Sequence, residues 1–71
     1  MRFLVIDVKN GDSFEKAFAT REEAIAYADR EWKSLTEYDK KQREEFYVLE
    51  SVTDDEEAEN RFDGDVIKEY K

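Results

Sequence analysis

Residues 2–8 read RFLVIDV, which in an extended backbone puts Leu4, Ile6 and Val8 on one side and Phe3 and Val5 on the other. Apolar residues on both faces predict a central strand. Asn10-Gly11 follows, a dipeptide suited to a two-residue hairpin because both positions accept positive φ. Residues 13–20, SFEKAFAT, set Phe14, Lys16, Phe18 and Thr20 against Glu15, Ala17 and Ala19. This predicts a second strand, antiparallel to the first, with Phe14 and Phe18 toward the core. At Thr20 the period changes. Thr20 and Glu23 form a capping box, in which the hydroxyl accepts from the backbone N–H of Glu23 and the carboxylate reaches back to the cap. The helix that starts there carries Ile25, Ala28, Trp32 and Leu35 on one stripe, widened by Ala24 and Tyr27, with Glu22, Asp29, Arg30 and Lys33 outward. It is expected to end at Ser34 or Leu35.

Thr36 and Asp39 repeat the start signal, but the apolar stripe stops at Leu35 apart from Tyr38. A short second helix or a broken continuation is therefore expected through Lys40, Lys41 and Arg43. Residues 45–52, EFYVLESV, alternate again and predict a third strand. Asp63-Gly64 is a turn signal before a short final strand, VIKEY, over 66–70. The order ββαββ, without internal repeat or linker, predicts one α+β domain over residues 1–71. Its economical form is two layers: a four-stranded antiparallel sheet with the main helix, and any short second helix, on one face.

Composition narrows the function. Charged residues make up 45% of the chain, yet 14% is aromatic, enough ring volume to build a small core in a domain that buries only about 60% of its unfolded surface. Cys and His are both absent. That excludes disulfides, thiolate or imidazole metal sites and every Ser-His or Cys-His nucleophile. A non-enzymatic protein without cofactor or metal is expected, since catalysis would need a pocketed carboxylate pair. The uncharged run at the N-terminus covers only Phe3–Ile6, too short for a signal or membrane segment, so a cytoplasmic location is expected.

The net charge of −8 is uneven: residues 1–50 carry −3 and residues 51–71 carry −5. Its source is TDDEEAENRFDGD, residues 53–65, where seven of thirteen positions are carboxylates: Asp54, Asp55, Glu56, Glu57, Glu59, Asp63 and Asp65. Twelve residues separate Asp54 and Asp65 inclusively, the length of an EF-hand calcium loop. The fifth place is Ala58 and the sixth is Glu59, where the loop needs an oxygen ligand and a glycine. A solvated segment is expected instead, with Asp54 or Asp55 capping a single helical turn through Ala58 and Asp63-Gly64 turning into the last strand. Such a pole repels nucleic acid and anionic lipid and attracts a basic protein surface, which makes these seven carboxylates the candidate partner-binding residues. The alternatives are a nucleic-acid mimic that inhibits a DNA- or RNA-binding protein, and an antitoxin-like cover for a basic toxin. Lys40, Lys41 and Arg43 form the one basic cluster, and Trp32, Tyr38, Tyr47 and Tyr70 could form an aromatic patch; a solvated helix face and half-buried rings are the plainer readings. A monomer or weak dimer is expected.

Phe18, Thr20, Glu22, Glu23, Ala24, Tyr27 and Ala28 resemble the sheet-to-helix junction of AP2-like integrase arm-binding domains and HicB-like antitoxins. The integrase resemblance implies a basic, DNA-binding sheet, whereas here Lys9 and Lys16 stand among Asp7, Asp12 and Glu15. Over a longer span, the pattern from Glu22 to Arg43, with FYVLES and DGDVI after it, resembles small acidic proteins of anaerobic gut bacteria and their mobile elements. That likeness implies the ββαββ fold and no particular activity.

Overall fold

The computed structural model describes residues 2–55, 57–60 and 62–71. Its elements in chain order are β1 (Arg2–Lys9), β2 (Asp12–Phe18), α1 (Arg21–Ser34), α2 (Glu37–Gln42), β3 (Arg43–Ser51) and β4 (Gly64–Glu69). The four strands form one sheet in the order β2-β1-β3-β4, antiparallel throughout. The α+β order is the expected one, and β1, apolar on both sides, is central beside β3.

Local signals explain most of the boundaries. Asn10 and Gly11 both adopt positive φ, 51° and 83°, the twist that joins antiparallel strands tightly. The Thr20 hydroxyl accepts from the Glu23 N–H at 3.2 Å, and that of Thr36 accepts from the Asp39 N–H at 3.1 Å. Each cap satisfies a donor that the first helical turn leaves open. The break between the helices falls at Leu35, which is extended.

One sheet face packs under α1. Val5, Phe46 and Val48 meet Ala24 and Ala28, and Phe3, Phe18, Tyr27, Trp32, Ile67 and Tyr70 ring them. Both alanines are fully buried, so the helix approaches the sheet closely at its small residues while the rings fill the periphery. The contact line thus runs through Ala24 and Ala28, and Ile25, placed on the expected stripe, is half-buried beside it. The opposite sheet face holds a second cluster, Leu4, Ile6 and Leu49, flanked by Val8 and Tyr47.

Two expectations about side chains need correction. Phe14 lies on the α1 side of the sheet, as expected, but is 61% exposed. It sits on an edge strand opposite Asp7, whereas Phe18, at the other end of β2, comes under Tyr27 at a centroid distance of 5.2 Å. Asp29 does not face solvent alone: Lys68 Nζ lies 2.8 Å from its Oδ1, and the Tyr70 hydroxyl donates to the same oxygen at 2.5 Å. The last strand and its continuation are thereby pinned to the side of α1.

This clamp has a definite pH dependence. Hydrogen bonds from Lys68 and then Tyr70 lower the Asp29 pKa, so its contribution is present above the unfolded carboxylate value and lost as pH falls through the folded one. Burial first, and the bond to Asp29 second, raise the Tyr70 phenol above its ordinary 10.0. Its contribution is full below that value and lost as pH rises through the higher folded value. Tyr70→Phe should flatten the stability profile above about pH 10, which urea unfolding of both proteins at a series of pH values would measure.

Candidate functional site

The acidic loop joins β3 to β4. Its base is closed by the Val52 N–H donating to the Asp63 carbonyl at 3.0 Å. Beneath it, Ser51 is fully buried, and its Oγ both donates to the Thr53 carbonyl and accepts from the Thr53 N–H. The Asp55 N–H then donates to Thr53 Oγ1 at 3.2 Å, and Asp55 Oδ1 accepts from the Glu57 N–H at 2.9 Å. Main-chain bonds from Ala58 to Asp55 and from Asp63 to Asn60 close two successive turns. These side-chain bonds compete with helix formation, as Ser, Thr and Asp commonly do. Of the turn expected after Asp54 or Asp55, the described residues show the cap and the closing bond, Asp55 Oδ1 accepting from the Glu57 N–H and the Asp55 carbonyl from the Ala58 N–H, with no helix continuing beyond Ala58, while Glu56 lies outside the described residues.

The consequence is electrostatic. Local acceptors take the backbone N–H groups of Val52, Thr53, Asp55, Glu57, Ala58 and Asp63, and Asp54, Asp55, Glu57, Glu59 and Asp63 are all exposed. Asp65 is part of β4 and stands directly opposite Glu50 of β3. Like charges at opposed strand positions repel, so the acidic pole extends onto the sheet and includes Glu50. Sequence reading missed Glu50 because only the strand register brings it to Asp65. Among the described residues no group of three or more Asp, Glu, His or Cys converges to hold a metal ion.

The basic cluster divides on folding. Arg43 Nε lies 3.1 Å from Asp7 Oδ1 with both side chains largely buried, a contact that is ionic rather than an aligned hydrogen bond. Lys40 Nζ stands 5.4 Å from the Trp32 ring centroid, whereas Lys41 is exposed. These residues edge a cleft of about 510 Å³ floored by Trp32, Phe46 and Tyr70, with lysines and glutamates mixed around its rim. The three rings pack on each other at 5.3–5.8 Å. They form a core cluster with one open side rather than a separated cage, and Tyr38, on α2, stands apart and exposed.

The resolved shifts lower Asp29 and raise Tyr47 and Tyr70, the two phenols mainly by burial. Each moves further from the pH at which a general acid or base is useful.

No family model, curated protein or solved structure matches the chain.

Proposed function

We propose that this protein is a non-catalytic, cytoplasmic binding module that presents the β3–β4 loop to a basic protein surface. One observation supports this reading above the others. The backbone N–H groups of Val52, Thr53, Asp55, Glu57, Ala58 and Asp63 are all bonded within the loop or to Ser51 at its base, which sets exposed carboxylates on a short, internally bonded support. A preformed surface of predominantly one sign, seven carboxylates against Arg61 over residues 53–65, steers an oppositely charged partner and loses little chain entropy on binding. The mixed rim of the aromatic cleft offers no comparable field. No helix among the described residues is long and apolar enough to cross a membrane.

The test compares affinity capture from the native host by the unmodified protein and by a variant carrying Asp54→Asn, Asp55→Asn, Glu57→Gln and Glu59→Gln. Specific partners should be basic, should be lost by the variant and should elute as salt rises, because the screening length falls from about 10 Å at 0.1 M to about 3 Å at 1 M. Equal recovery by both proteins removes the acidic loop as the contact surface. Captured nucleic-acid-binding proteins that DNA displaces would assign charge mimicry instead.

A further inference from the structure

The two edges of the sheet are unlike. β4 is six residues long, and its pairing with β3 shifts register between Val48 and Leu49. Irregularities of that kind blunt an edge against further pairing. β2 is seven residues long and pairs with β1 through seven positions with no shift. It presents a regular outer edge, and on that edge Phe14 is the large apolar side chain left 61% exposed. Phe14 also borders a groove of about 220 Å³ that includes Val5, Tyr27 and Phe46.

We propose that β2 is a homodimerisation edge, along which two copies pair antiparallel about a twofold axis at Phe14 to make one continuous eight-stranded sheet. This proposal is independent of the acidic loop. The occupant follows from the charge pattern of DSFEKAF. A twofold axis perpendicular to the sheet keeps the α1 faces of both copies on the same side, so each residue opposes one of its own parity. Centring the axis on Glu15 opposes two carboxylates, and centring it on Lys16 opposes two ammonium groups; like charges directly opposite are destabilising. Ser13 or Ala17 at the centre leaves only three pairs within the strand. Phe14 at the centre gives five pairs. The two Phe14 rings then meet on the α1 side, and Asp12 of each copy faces the partner's Lys16, once on either side of the rings. Lys16 Nζ is held 4.7 Å from the Tyr27 ring centroid, so this cation is already placed on the face where the partner's Asp12 would arrive.

The register is testable with Phe14 intact because the chain contains no cysteine. Ser13 faces the partner's Glu15 in the proposed pairing, so Ser13→Cys and Glu15→Cys proteins mixed in equal amounts should give the mixed disulfide at least about tenfold faster than either homodisulfide. Pre-association raises the effective thiol concentration to the millimolar range, and mass spectrometry separates the three products. In parallel, sedimentation equilibrium should show concentration-dependent dimers of the unmodified protein. Phe14→Lys should abolish them while leaving the far-ultraviolet circular dichroism unchanged. Preferential homodisulfides, a monomer up to about millimolar concentration, or a Phe14→Lys protein that associates like the unmodified one would each overturn the proposal.

Discussion

Phe46→Ala is expected to destabilise the protein by about 3–5 kcal/mol, the range for removing a buried ring. Phe46 is 5% exposed and is the residue on which Trp32 and Tyr70 both pack, at 5.5 and 5.3 Å. Its removal leaves the floor of the aromatic cleft empty, and neither neighbouring ring can close the space: Tyr70 is tied to Asp29 and Trp32 is anchored on α1. A domain of this length has about 4–10 kcal/mol of total stability, so the variant should be largely unfolded or marginal. Urea unfolding followed by Trp32 fluorescence measures the loss directly. A midpoint close to that of the unmodified protein would show that the ring is not part of the core. The Trp32–Phe46–Tyr70 cluster joins α1, β3 and the chain beyond β4, which is why one substitution there acts on the whole fold.

Gly64→Ala is expected to cost about 3 kcal/mol or more, combining backbone strain with overpacking. Gly64 has φ +152°, and a Cβ built on it would lie 1.8 Å from the Glu50 carbonyl oxygen and 2.8 Å from its carbon. Both obstacles are backbone atoms of a central strand, so no side-chain rotation relieves the overlap. The first pair of the β3–β4 ladder, Ser51 with Gly64, should separate and release the base of the acidic loop. Loss of amide-exchange protection at Val52 and along β4, together with a lower urea midpoint, would register this. Unchanged protection in the alanine variant would place Gly64 in a different conformation. The matching change at Gly11, where a Cβ would meet nothing within 4 Å, carries only the strain of positive φ.

Gly64 also illustrates how the sequence can be right about a residue and wrong about its reason. Asp63-Gly64 reads as a turn dipeptide, yet the glycine is needed because β3 passes too close to admit a side chain. That distance is a property of two strands separated by the whole loop, and no local pattern contains it. Phe14 shows the same limit from the other side. Its alternation with Lys16 and Phe18 correctly places it on the α1 face, but its cover depends on how far α1 reaches across an edge strand. Helical periodicity alone places Asp29 outward, and its partners, Lys68 and Tyr70, lie some forty residues away. The acidic stretch is legible as charge, but its turns are shaped by the Thr53 and Asp55 side chains accepting from backbone N–H groups two residues on, and its extension to Glu50 arises from strand register.

By itself the sequence determined the four strands, the main helix and their order, and left the short second helix open, because those features depend on interactions within a few residues: alternation in β1, positive φ at Asn10-Gly11, and the two threonine caps. It also determined the sign of the charge and the absence of imidazole and thiol chemistry. Only the tertiary structure decided the strand order, which edge stayed regular, which cations were spent inside the fold and which carboxylates came together. Those outcomes depend on contacts between segments far apart in the chain, where packing and backbone approach, rather than local preference, select among arrangements of similar pattern.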